Sequence, residues 1–151
     1  MLAVDWLHIA GLRADRAVNI QLPLPPSTNA MWRSLARMKG GKPFVTVVLS
    51  AEGRQFKKDA ATWLLAQRTE VLAGPVSVRI VVYFPNRRGD MDNRIKPILD
   101  VLQGVAFMND SQVEHLEVRR DTNPLTPCAL VTVEPLDVGL PLGWSLDDVV
   151  K

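Results

Sequence analysis

Val76-Ser77-Val78-Arg79-Ile80-Val81-Val82-Tyr83-Phe84 runs, past Pro85 and Asn86, into Arg87-Arg88-Gly89-Asp90-Met91-Asp92-Asn93-Arg94-Ile95-Lys96-Pro97-Ile98-Leu99-Asp100. The first stretch is long and β-branched, the composition of a strand with sheet neighbours on both sides. The second turns charged and then takes up helical spacing. A strand feeding a charged turn and a helix is the unit of a layered α/β or α+β fold, and this strand is expected at the centre of its sheet.

Upstream, Val18-Asn19-Ile20-Gln21-Leu22 alternates apolar with polar and reads as a first strand. Pro23-Leu24-Pro25-Pro26 then takes the chain out of the sheet, because proline cannot donate to a ladder. Trp32 to Pro43, with Arg33, Arg37, Lys39, Lys42 and Gly40-Gly41, reads as a mobile basic hairpin tip or loop. Phe44 to Leu49 is a strand, and Ser50 is placed to cap a helix over 51–72. Its buried stripe is Phe56, Ala60, Trp63, Leu64 and Val71, interrupted by Gln67, and Gly74-Pro75 ends it.

Downstream, Pro97 is tolerated most easily in a first helical turn, which argues for a helix from about Asn93 to Gln103 with Asp92 at its cap. Strands over 113–119 and 129–134 complete a single-layer mixed sheet with two main helices. The expected organisation is an N-terminal extension (1–17), one domain (18–135) and a C-terminal tail (136–151).

The 151 residues are 47% hydrophobic, enough for one core and too apolar for a disordered chain. Cys128 is the only cysteine, so an internal disulfide and a CxxC-type zinc site are excluded, and a reducing, cytoplasmic setting is expected. No stretch approaches the ~20 apolar residues of a membrane span, and Met1 to Arg16 carries Asp5 and Asp15 without a basic leader. Neither export nor membrane insertion is expected. Charge is uneven: 1–89 holds 13 Lys/Arg against 5 Asp/Glu, and 90–151 holds 5 against 11. A basic half beside an acidic half suits a protein that grips a polyanion with one surface and holds metal with another.

Asp90 and Asp92 are separated by one residue, so both carboxylates can serve one cation, and Asp110 arrives from the loop after the helix. Hard divalent cations such as Mg²⁺ prefer a few carboxylates, with the other positions left to water and phosphate. The structural alternative is a helix cap at Asp92 and turn formers at Asp90 and Asp110. Lys96 and Asp100 follow Asp92 at successive four-residue steps, on one helix face. Lys96 is thereby a candidate for stabilising charge on a cleaved phosphate, its alternative being a salt bridge to Asp92 or Asp100. Arg87 and Arg88, as guanidinium forks, suit phosphate contacts. Together these residues read as a phosphodiesterase site.

The pattern Arg-Arg-x-Asp-x-Asp-Asn-x-x-Lys with a later Asp-Ser-Gln resembles RusA-type Holliday junction resolvases. Leu22-Pro23-Leu24-Pro25-Pro26-Ser27-Thr28-Asn29 and Ser50-Ala51-Glu52-Gly53 also look like that family's N-terminal motif and the turn into its first helix, so the resemblance spans about Ile20 to Glu134. It implies a homodimer that binds four-way DNA junctions and nicks opposing strands with Mg²⁺, with Mn²⁺ as a substitute. It further implies metal-binding catalytic aspartates at Asp90, Asp92 and Asp110, a catalytic lysine at Lys96 and a supporting Asn93. Arg87, Arg88, Arg33, Lys39 and Lys42 are the expected DNA contacts, and a bacterial or prophage origin is expected. Gly89 and Asn109 depart from the pattern, standing where basic and acidic residues are often found. The competing readings are a fold-mate that binds branched DNA without cutting, a nuclease for flaps or forks, and a structural domain with a cation-binding turn.

Overall fold

A computed structural model describes residues 17–136. The expected N-terminal extension, apart from its last residue, and nearly all of the expected tail lie outside the described residues. The chain order is β1 (Val18–Pro23), α1 (Thr28–Met31), β2 (Trp32–Lys39), β3 (Lys42–Leu49), α2 (Ala51–Gln67), β4 (Val76–Phe84), α3 (Asp92–Leu102), a 3-10 turn (Asp110–Gln112), β5 (Val113–Thr122) and β6 (Cys128–Pro135).

Four strands form a mixed sheet in the order β1-β6-β4-β5, with β4 and β5 parallel and the other pairings antiparallel. β4 therefore has neighbours on both sides, as its composition requires. Val76, Val78, Ile80, Val82 and Phe84 share one of its faces and are buried. Parallel strands need a crossover connection, and α3 supplies it. Ile20 and Leu22 of β1 with Ala129, Val131 and Val133 of β6 extend this apolar face, and Phe56, Ala60 and Leu64 of α2 with Ile98 and Leu102 of α3 close over it. The result is the expected α+β fold with a mixed sheet and two main helices. Cys128 is buried in β6, and no helix among the described residues is long and apolar enough to cross a membrane.

Five local expectations need correction. β3 does not join the main sheet: it pairs with β2 in a separate two-stranded sheet. The stretch read as a hairpin tip or loop is a hairpin that is mostly strand, and only Gly40 and Gly41 form its turn. Their φ values of 58° and 75° are what a two-residue hairpin turn demands.

The helix that starts at Ser50 stops at Gln67, because Arg68 adopts the left-handed conformation (φ 48°). Val71 thus lies beyond the helix, and Trp63 faces outward, so the buried stripe is Gly53, Phe56, Ala60 and Leu64. Gln67, which broke the apolar pattern, has a sheet-edge role. Its amide accepts from Gln21 N at 2.6 Å and donates to Gln21 O at 2.7 Å, pairing with the outer edge of β1 as a strand would.

The fourth and fifth corrections concern α3. Asp92 is its first residue, preceded by Met91 as a cap without a side-chain bond. Pro97 accordingly sits inside the helix, where it denies the Asn93 carbonyl its i→i+4 donor. Thr28 of α1 replaces that donor: its hydroxyl bonds Asn93 O at 2.9 Å. A proline that looked restricted to a first turn is accommodated by a residue far upstream.

Candidate functional site

Beyond the end of β4 the chain turns through Gly89 at φ 97°. A Cβ there would stand 3.2 Å from Phe84 Cε1, which would have to give by a few tenths of an ångström, and in ordinary contact with Arg94 Nη2 at 3.5 Å, so it is the backbone conformation that favours glycine. The Phe84 ring in turn carries two guanidinium groups, Arg120 at 4.5 Å and Arg94 at 5.4 Å from its centroid. Arg94 also donates to the Pro25 carbonyl, which ties the proline-rich segment to the start of α3. Burial pushes the Arg94 guanidinium below the ordinary arginine value, and Glu52 and Asp90 partly offset that.

Asp90 and Asp92 are exposed on this turn and at the helix start. Asn93 Nδ2 reaches Asp90 Oδ2 at a long 3.5 Å. The Asp92 side chain forms no hydrogen bond or ion pair with another described residue, and it lies at the helix N-terminus, where the backbone dipole favours an anion.

One turn further along, the Lys96 ammonium lies 2.8 Å from Asp100 Oδ1 and 3.2 Å from Asp110 Oδ2. These bonds, from Asp100 first and Asp110 second, raise its pKa above the usual lysine value. The Lys96 side chain is still 58% exposed, so its charge faces solvent and any bound polyanion.

Asp110 reaches Lys96 because its 3-10 turn is pinned. Gln112 Oε1 accepts from Met108 N and Asn109 N at 2.8 and 3.0 Å, while its Nε2 donates to Leu72 O and Gly74 O at 3.0 and 2.8 Å. Asn109 Oδ1 accepts from Ser111 N at 2.9 Å and so caps the turn, a role its amide fills without a charge.

The fold thus brings Lys96, Asp100 and Asp110 into direct contact and sets Asp90, Asp92 and Asn93 at the start of the same helix. Among the described residues, no three His, Cys, Asp or Glu side chains are already gathered as a metal cage. The donor set is nevertheless exposed carboxylate oxygen, which suits a hard cation that keeps several of its waters.

Arg87 and Arg88 are exposed beside this end of the sheet. Arg120 Nη2 approaches the Arg88 carbonyl at 3.4 Å, and a hollow lined by Arg87, Arg120, Asp121 and Thr122 opens next to them. Arg120 was not singled out in the sequence, yet Arg119-Arg120 closes a strand that runs parallel to β4, so strand ends of like direction place it beside Arg87 and Arg88. Arg33, Lys39 and Lys42 lie on the β2–β3 hairpin and make no hydrogen bond or ion pair with the carboxylates. His115 bonds Ser77 Oγ through Nδ1 at 2.9 Å, a structural link between β5 and β4.

An α+β sheet thus carries carboxylates, a lysine and a cluster of arginines at one end, a set of groups whose chemistry suits a phosphate backbone. The family model described as endodeoxyribonuclease RusA matches residues 23–134, and the chain belongs to the RusA endodeoxyribonuclease family. Its relatives include the crossover junction endodeoxyribonuclease of Enterobacteria phage 82, 34% identical over 98 residues, and that of Escherichia coli K12, 35% identical over 98 residues. Each alignment covers 63% of this chain and 75% of the relative. The phage HK97 protein of the same name is 27% identical over 93 residues, covering 60% of this chain and 71% of its own length.

Proposed function

We propose that this chain is a Mg²⁺-dependent endodeoxyribonuclease that binds four-way DNA junctions as a homodimer and resolves them by paired symmetric nicks. The observation that carries the reading is the contact of Lys96 with Asp110, which brings a distant carboxylate to the helix led by Asp90 and Asp92. Family membership and the names of its relatives support the junction as substrate. A cytoplasmic setting in a bacterium or a prophage-bearing host goes with that reading.

Asp90, Asp92 and Asp110 are the residues that would hold the cation, Mg²⁺ or Mn²⁺. When bound, it supplies a lowered pKa for water and neutralises charge gathering on the phosphate. The protein's own groups do the positioning. Lys96, held by Asp100, presents its ammonium to the non-bridging oxygens as they gain charge in the transition state. Arg87, Arg88 and Arg120 hold flanking phosphates in fork geometry, and Arg33, Lys39 and Lys42 extend the contact along the hairpin. Asn93 steadies Asp90.

The test is nicking of an end-labelled synthetic four-way junction with and without Mg²⁺, with linear duplex, flap and fork as comparison substrates. Wild type is expected to place symmetric nicks in the junction, and Asp92→Asn none. Tight junction binding without Mg²⁺-dependent product would make the chain a structure-selective DNA-binding protein. Faster cutting of flaps or forks would move the substrate within the same chemistry.

A further inference from the structure

Four segments meet at Arg94, in the first turn of α3. Its Nη1 donates to the Pro25 carbonyl, and its guanidinium stands 5.4 Å from the centre of the Phe84 ring at the end of β4. Nη2 lies beside Gly89, 3.5 Å from where a Cβ would stand. Glu52, in the first turn of α2, and Asp90 both attract its charge. One residue earlier, Asn93 O accepts from the Thr28 hydroxyl at 2.9 Å. The segment 25–28 therefore grips two consecutive residues at the start of α3, immediately after Asp92.

Arg94 differs from the arginines that suit phosphate. It is half-buried, whereas Arg87, Arg88 and Arg120 are exposed. Its Nε is buried with no hydrogen-bond partner, a cost that a surface arginine does not carry and that calls for a return elsewhere in the side chain. That return lies at the far end, where the guanidinium joins the proline-rich segment to the Asp90 turn. Pro25 and Pro26 are buried and have restricted φ, so the carbonyl that receives Nη1 belongs to a stiff piece of chain. Bonded to that piece and stacked on a buried ring, the guanidinium is a fixed point against which the turn settles.

We propose that Arg94 is a positioning residue, through which the proline-rich segment holds Asp90 and Asp92 in the spacing that a divalent cation requires. Mg²⁺ demands near-octahedral geometry, so carboxylates on an exposed turn serve it well only when the turn is braced from behind. Thr28 braces the helix at Asn93, and Arg94 braces the turn before it. Charge alone would act the other way. A guanidinium near a cation site repels the cation, so deleting it would tighten metal binding. The two effects have opposite signs, and bracing is the larger here because Arg94 is tethered at several points and makes no ion pair with Asp90. The inference deepens the metal-dependent reading above and rests on it, since Asp90 and Asp92 are the groups that Arg94 places.

The test is Mn²⁺ binding to the metal-free full chain, followed by electron paramagnetic resonance of the unbound ion. Wild type is expected to bind Mn²⁺, and Asp92→Asn to lose most of that affinity. Arg94→Met, which keeps the length and drops the fork, is expected to bind Mn²⁺ about 10-fold more weakly, the scale of losing an outer-shell partner. Arg94→Lys keeps the charge and a donor without the fork, and is expected to fall between Arg94→Met and wild type. Val133→Ala opens the core at the far end of the sheet, where Val133 pairs with Val18 and Val78. It is expected to melt earlier yet bind Mn²⁺ as wild type does, and equal weakening there would reduce Arg94 to a structural residue. Unchanged or tighter binding by folded Arg94→Met overturns the proposal; should that variant misfold, wild-type affinity in Arg94→Lys overturns it instead. A wild type without Mn²⁺ affinity sinks the metal reading and this inference together. Binding that Asp92→Asn abolishes and both Arg94 variants leave intact removes the inference alone, whereas binding weakened as expected in a chain that nicks no DNA removes the nuclease and leaves Arg94 its role.

Discussion

The Lys96 ammonium lies 2.8 Å from Asp100, one turn along the same helix, and the same nitrogen reaches Asp110 at 3.2 Å. One residue of this trio supplies charge, and the flanking carboxylates fix where that charge sits. Lys96→Ala is therefore expected to cut the nicking rate by ~100-fold or more, the scale of losing a positioned electrostatic contact in a transition state. Junction affinity, measured by gel shift in Ca²⁺, is expected to change little. An equal loss in binding and cutting would reduce Lys96 to a backbone contact.

Asp100→Asn keeps the shape of the clamp and removes its charge. Lys96 then retains Asp110 alone, so a smaller decrease in single-turnover rate is expected, about 10-fold, again with binding preserved. Asp100→Glu is expected to recover part of the rate, since a longer carboxylate still reaches an exposed ammonium. If Asn and Glu variants cut as wild type does, Asp100 has no part in placing Lys96.

At the turn before Asp90, the φ of 97° strains any side chain at position 89, and a Cβ there would crowd the Phe84 ring at 3.2 Å. Gly89→Ala is expected to lower stability by about 1–3 kcal/mol in urea unfolding, the usual cost of forcing a residue into a disfavoured backbone region. Gly89→Arg is expected to be worse because its stem adds bulk at a positive φ beside the Phe84 ring. A stable Gly89→Arg protein with tighter DNA binding would refute this account.

Much of the candidate site was legible in the sequence because its charged residues are few in type and closely spaced. Asp90, Asp92, Lys96 and the strand before them follow one another in a single unit, and β4 declares itself by composition. What stayed hidden depends on contacts between distant segments. Nothing near Pro97 signals that Thr28 will satisfy Asn93, and nothing near Gln67 signals that its amide will pair with Gln21. The hairpin was half seen: its basic residues stand out in the sequence, but their charge masked the strand alternation, and two glycines suggested a loop where they make a tight turn.

Gln112 joins three segments through one side-chain amide, with bonds to Met108, Asn109, Leu72 and Gly74. Gln112→Ala is expected to destabilise the fold by about 1–3 kcal/mol, since it leaves the partly buried Leu72 carbonyl without this partner and loses three exposed bonds. It also frees the turn that carries Asp110. The rate of nicking is thus expected to fall more than junction affinity does, and hydrogen exchange at residues 108–112 is expected to accelerate. A loss confined to global stability would leave Gln112 a purely structural residue.

The Thr28–Asn93 bond and Pro97 are two halves of one arrangement, which a double-mutant cycle can separate. Thr28→Val removes the hydroxyl donor and leaves a partly buried carbonyl unpaired, so a loss of about 1–3 kcal/mol is expected from urea unfolding. Pro97→Ala restores a backbone N–H at the position from which the helix would normally serve Asn93. In that background the Thr28→Val cost is expected to shrink by about 1 kcal/mol, a coupling typical of residues sharing one partner. Strict additivity would mean that Thr28 matters only through its packing in α1. Because Asn93 is next to Asp92, the single Thr28→Val variant is also expected to slow nicking, and the Pro97→Ala background is expected to restore part of that rate.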